Sequence, residues 1–186
     1  MSAVTTPLLT AEEFARRPRP IDGSREELVR GEVVTMPPPG FRHGKVAQVV
    51  GYRLMRFIED HPLGTVVAET GVQTEEDPDS VRGPDVSFWS FERLPADADP
   101  EVYAEVPADL CVEVRSPSNT AKKLREKASE YLKAGVRMVW VVDPDDRCVT
   151  VIRKPGRGLT MWDDEVLDGE DVLPEFECSV SKLFVL

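Results

Sequence analysis

The chain has 186 residues, 41% of them hydrophobic and 31% charged, which excludes a disordered polymer and leaves ample length for a core. Its formal net charge of -11 argues against a protein that binds nucleic acid along its whole surface. No apolar run approaches the roughly 20 residues of a membrane span, and Cys111, Cys148 and Cys178 are too widely spaced for a zinc site, so they read as core thiols of a reducing, cytoplasmic compartment.

In chain order, MSAVTTPLLTAEEF has no basic region leading into a hydrophobic stretch, so no secretory signal is expected. Residues 1–20 read as an arm with a short helix, Ala11 to Arg16, stopped by Pro18 and Pro20; residues 21–186 read as a single domain. ELVRGEVVTM, Glu27 to Met36, predicts two short strands turning at Arg30-Gly31, ended by Pro37-Pro38-Pro39-Gly40. From His43 to His61, apolar residues at Val46, Val49, Val50, Leu54, Phe57 and Ile58 give helical periodicity, with Pro62 just beyond. Thr65 to Thr74 and Asp85 to Phe91 read as strands separated by the turn-rich, acidic EEDPDSVRG.

After a loop from Leu94 to Pro107, Leu110 to Val114 predicts a buried strand. Ser118, Asn119 and Thr120 offer N-caps for a helix that runs to about Ala134, with Gly135 as its stop. Val136 to Val142, Cys148 to Arg153 and Leu159 to Trp162 complete the strands, followed by a short tail. The strand–helix–strand unit from 110 to 142 predicts a parallel crossover inside a mixed sheet. Trp89, Trp140 and Trp162 sit among apolar strand residues and read as core.

Glu113 stands inside its apolar strand, between Val112 and Val114. A carboxylate buried without a partner is strongly disfavoured, so Glu113 should be paired, protonated or bound to a metal. Directly after it, Arg115 to Arg137 carries seven basic residues against Glu126 and Glu130, in a chain that is otherwise acidic. A second acid, Asp85, opens the strand Pro84-Asp85-Val86-Ser87-Phe88. Were the two strands neighbours, Asp85 and Glu113 could share a hard divalent cation, which prefers oxygen ligands. Alternation along a strand puts Arg115 on the face of Glu113, giving two acids and a cation about one point, a set suited to phosphoryl chemistry.

At these residues the chain resembles the Uma-two family, within the PD-(D/E)XK, restriction-endonuclease-like superfamily. The likeness is carried by PDVSF, EVRSPSNT and EKASEYLKAGV, with ELVRGEVVTMPPPGFRH before them and VWVVDPDDRCVTVIR after, in order from about Thr10 to Phe184. The resemblance implies an α/β fold with a restriction-endonuclease-like mixed β-sheet flanked by α-helices. It also implies a nuclease that hydrolyses phosphodiester bonds with Mg2+ or Mn2+, held by Asp85 and Glu113. A third acid comes from the N-terminal region, where Glu27 matches and Glu69 is a weaker alternative. Nucleic acid, DNA rather than RNA, is the implied partner, and a homodimer would suit cleavage of both strands.

The superfamily pattern wants a lysine where this chain has Arg115, which stays protonated and is a poor general base. A lysine can instead come from the following helix. There Leu124, Ala128, Tyr131 and Leu132 form an apolar face that Lys127 borders, while Lys122 and Lys133 point nearly opposite, so Lys127 is the candidate. His43, at the start of its helix, could orient water or contact a phosphate, and Gln73 could help hold a water. Ser116-Pro117-Ser118 fits turn and cap chemistry better than a nucleophilic serine. The alternatives are a non-catalytic member of the fold, with Glu113 in a structural ion pair with Arg115, and an interaction module that pairs edge strands near the C-terminus.

Overall fold

The structure is a computed structural model in which residues 7–117 and 119–185 are described. Helix α1 (Ala11–Ala15) starts from a capping box in which the Thr10 side chain accepts from the Glu13 backbone and the Glu13 carboxylate accepts from the Thr10 backbone. Strands β1 (Arg25–Val29) and β2 (Glu32–Met36) then form a hairpin. Its turn is Arg30-Gly31, both at positive φ, as a two-residue turn between right-twisted strands requires. Helix α2 (Phe41–Asp60) begins two residues before the periodicity does, because Phe41 is exposed and stands outside the buried face.

The segment read as one strand, Thr65 to Thr74, is two. Strands β3 (Gly64–Ala68) and β4 (Val72–Glu75) belong to different sheets, divided at Glu69, whose φ of 53° turns the chain out of the first ladder. Gly71 follows, where any Cβ would lie 2.2 Å from the Tyr103 ring. The acidic stretch read as a turn contains a further strand, β5 (Ser80–Arg82), fixed by Val81, which packs with Leu28 and Ala11. Strands β6 (Val86–Ser90) and β7 (Leu110–Val114), helix α3 (Ala121–Lys133) and strand β8 (Met138–Asp143) lie close to their expected places. Thr120 is the N-cap of α3, its hydroxyl accepting from the Lys123 backbone; of the other two candidates, Asn119 precedes the cap and Ser118 lies outside the described residues. Strands β9 (Cys148–Lys154) and β10 (Arg157–Trp162) follow, and the tail forms β11 (Val166–Asp168), β12 (Glu177–Ser179) and a 3-10 turn, Val180–Leu183.

These elements form a six-stranded sheet in the order β10-β9-β8-β7-β6-β3 and a four-stranded sheet in the order β2-β1-β5-β4. The larger is mixed: β7 and β8 pair in parallel across the α3 crossover, and its other pairs are antiparallel. Strand alternation divides the core between its faces. Leu110, Val112 and Val114 pack with Val46, Val50 and Leu54 of α2, whereas Cys111 packs with Ala128 and Tyr131 of α3. This is a mixed β-sheet flanked by α-helices. Trp89 and Trp140 are core residues, but Trp162 is half exposed, because β10 is an edge strand. The three cysteines are buried and unpaired, and no helix among the described residues is long and apolar enough to cross a membrane.

Two glycines should respond in opposite directions. A Cβ at Gly64 would sit 2.0 Å from the Trp89 carbonyl oxygen, so Gly64→Ala is expected to cost about 1–3 kcal/mol by overpacking. Gly44, inside α2, has nothing within 4 Å of its would-be Cβ, so Gly44→Ala should stabilise by about 0.5–1 kcal/mol. Denaturant unfolding of the two variants checks both signs.

Candidate active site

Glu113 points to the α3 side of the larger sheet because it shares that face of β7 with Cys111. The β6–β7 register pairs Val86 with Val112, so the next position along places Asp85 opposite Glu113. On α3, Lys127 and Tyr131 lie one turn apart on the side facing the sheet. The hairpin of β1 brings Glu27 to the same point from the smaller sheet.

The centre is a chain of alternating charges. The Lys127 ammonium lies 2.6 Å from Glu27 Oε1 and 2.7 Å from Glu113 Oε1, and it donates to the Gly83 carbonyl at 3.2 Å. All three of its donors are thereby engaged. Tyr131 donates its hydroxyl hydrogen to Glu113 Oε1 at 2.8 Å. Glu27 also accepts from the Gly83 backbone and from Arg82, both at 3.0 Å, and Arg82 in turn forks onto Glu130. Asp85 forms the neighbouring part. Its Oδ2 accepts from the Val114 backbone at 2.7 Å and lies 3.2 Å from His43 Nε2; its Oδ1 accepts from Arg25 at 2.7 Å. Arg25 is itself shared with Glu69. His43 Nδ1 is buried with no hydrogen-bond partner among the described residues.

Burial sets the electrostatics, and the partners modify it. Burial pushes the Glu113 carboxyl up to about 7, with Lys127 opposing and the Asp85 and Glu27 charges adding to the rise. Burial would lower the Lys127 ammonium, but Glu113 and Glu27 more than reverse this and hold it above its ordinary value. Burial acts against the Glu27 carboxylate too, yet Lys127 leaves it below the usual range. Asp85 is likewise lowered: against its burial stand His43, the Val114 amide and Arg25.

Three buried carboxylates are chemically apt for a hard divalent cation. Their arrangement is not: among the described residues, no group of three or more histidine, cysteine or acidic side chains is disposed to hold a metal. The ammonium of Lys127 stands between Glu27 and Glu113, and Arg25 and His43 occupy Asp85.

Of the residues singled out by sequence, the structure gathers Asp85, Glu113, Lys127, Glu27 and His43. Arg115 is not among them. Strand β7 ends at Val114, so alternation no longer governs the next side chain, and Arg115 pairs with Asp143 at the end of β8. The partner of Glu113 is accordingly Lys127 and not Arg115. Gln73 lies on β4 opposite Val81 and makes no hydrogen bond to these acids, and Glu69 reaches the site only through Arg25. Arg25, Arg82 and Tyr131 were not foreseen. Tyr131 alone left a signal, since a tyrosine on the buried face of a helix needs a partner for its hydroxyl.

This fold and this placement of the acids define a restriction-endonuclease-like domain. The family model described as "Uma2: Putative restriction endonuclease" matches residues 11–181, and the chain belongs to that family. Among solved structures it is similar to one titled as a "putative nuclease belonging to DUF820" from Anabaena variabilis ATCC 29413, with a TM-score of 0.79 and 21% sequence identity over 95% of this chain and 97% of the other. That likeness shows the shared fold. No curated protein matches the chain.

The raised Glu113 carboxyl makes stability depend on pH. Its folded value of about 7 exceeds the ordinary 4.5, so the folded state holds a proton that the unfolded chain has released. This contribution is fully present below pH 4.5 and is lost as pH rises through about 7. Denaturant unfolding between these limits should show a loss of about 3 kcal/mol in wild type that is absent in Glu113→Gln. Separately, Tyr131→Phe should destabilise the fold by about 1–2 kcal/mol at neutral pH, by removing a hydrogen bond to a buried carboxylate.

Proposed function

We propose that this chain engages nucleic acid as a restriction-endonuclease-like binding module whose acid centre is closed and internally neutralised, with Glu113 held in an ion pair. The observation that supports this reading is the Lys127 ammonium, within 2.7 Å of both Glu27 and Glu113, at the place a shared cation would need. Family membership supports nucleic acid as the partner class, and a description as a restriction endonuclease favours DNA over RNA.

A second reading, metal-dependent phosphodiester hydrolysis, is favoured by one further feature. Lys127 rises from the helix after β7, beside two acids, Glu113 on β7 and Asp85 directly before its neighbour β6. In this reading Asp85 and Glu113, with Glu27, would hold Mg2+ or Mn2+, which would supply Lewis-acid polarisation of the phosphate and activation of water. His43 and Arg25 orient Asp85, and Lys127 stabilises developing negative charge once released from Glu113. Two such centres in a homodimer would serve the two strands of a duplex, in the cytoplasmic setting that three buried thiols suit.

Calorimetric titration with Mn2+ separates the two. The closed centre is expected to give no saturable binding in wild type, while fluorescence anisotropy shows labelled DNA retained by both wild type and Glu113→Gln. Saturable Mn2+ binding, lost in both Asp85→Asn and Glu113→Gln with circular dichroism unchanged, would overturn the first reading in favour of hydrolysis.

A further inference from the structure

Beside the acid centre the structure leaves a cavity of about 450 Å³, bounded by the segment after α1, by β1, by the turn between β3 and β4 and by the end of β5. Glu27 and Gly83 belong to its wall, so it opens directly onto the ion-pair network. Its remaining wall combines two kinds of chemistry. Phe14 and Tyr103 supply half-buried aromatic rings at the margin of the small cluster formed by Ala11, Leu28 and Val81. Arg17, Arg19, Arg25 and Arg82 supply guanidinium groups against Glu26, Glu27 and Glu69, a local positive excess in a chain of net charge -11.

The arginines differ in how far they are already used. Arg25 and Arg82 are bound to carboxylates, and Arg17 approaches Glu26 at 3.7 Å. Arg19 has no hydrogen bond or ion pair among the described residues, and its charge is felt by the Tyr103 phenol across the cavity wall. The Tyr103 ring packs directly on the Gly71 backbone, where a Cβ would meet the ring at 2.2 Å and Val81 at 2.8 Å. A packed ring, an unengaged guanidinium and a volume suited to one small molecule together specify a ligand with a flat π-face and an anionic group.

We infer that this cavity receives a single nucleotide, its base against Phe14 and Tyr103 and its phosphate on Arg19. The inference rests on the nucleic-acid reading above and narrows it. A base paired and stacked inside a duplex cannot enter such a pocket, so the preferred partner is an unpaired nucleotide or a strand end.

Met36 also lines the cavity, and its methyl resonance provides a local reporter. With the methionine methyls 13C-labelled and the signal assigned by Met36→Leu, deoxyadenosine 5′-monophosphate should shift the Met36 methyl at concentrations where inorganic phosphate does not. Arg19→Ala, an exposed position, should weaken this binding about tenfold through loss of one charge-assisted contact. In parallel, anisotropy compares a 5′-phosphorylated single strand with the blunt duplex of the same sequence, and tighter binding of the single strand is expected. No Met36 shift, an equal shift with phosphate alone, or indifference to Arg19→Ala would overturn the pocket. Should single strand and duplex then bind alike, nucleic-acid binding would stand without it. A Met36 shift with neither polymer bound would keep the pocket and remove the nucleic-acid reading instead.

Discussion

The arrangement of this protein turns on the burial of one ammonium group. Lys127 is enclosed by groups from three places in the chain: Glu27 on β1, the Gly83 carbonyl after β5, and Glu113 on β7. A charge in that position is tolerated only when its partners are held in place, and removing one partner of a buried pair typically costs about 3–5 kcal/mol. The surrounding structure holds them. Parallel pairing of β7 with β8 fixes the Glu113 strand, the Thr120 cap sets where α3 begins, and the Arg82 fork ties Glu27 to Glu130.

Asp85 shows the same rule with different partners. It lies beside this network, directly before the neighbouring strand β6, yet its charge is met by Arg25, His43 and a backbone amide, so its carboxyl and that of Glu113 move in opposite directions from similar burial. Two neighbouring acids with separated proton affinities are chemically inequivalent. Near neutral pH one remains ionised while the other exchanges a proton.

What the sequence made legible was mostly local. The apolar run around Glu113 announced both the strand and an acid needing a partner, and helical phase selected Lys127 from the lysines of α3. Arg115 misled because strand alternation was carried one residue past the end of the strand. The break between β3 and β4 depends on a left-handed residue at Glu69, a type of residue that gives little warning of that conformation. Arg25 and Arg82 were illegible for a different reason: their partners lie 60 and 55 residues away, and only the tertiary fold brings them together. Trp162 is exposed since its strand is last in the sheet, and a strand's place in the order is not written in its own residues.

The division of strands into two sheets has a mechanical consequence. Asp85 and Glu113 belong with the larger sheet, whereas Arg25, Glu27 and Arg82 sit on the smaller, so the seam between the sheets is fastened in part by ion pairs. Apolar contact also crosses it, through Val72 of β4 packing with Trp89 and Ala108, while the smaller sheet's separate cluster is centred on only Ala11, Leu28 and Val81. The two sheets can thus be regarded as plates joined by an electrostatic latch. Protonating Asp85 or Glu27, the two carboxylates that the latch holds below their ordinary range, would weaken the fastening between the plates, so a proton taken up there acts on the smaller sheet as well as on the acid centre.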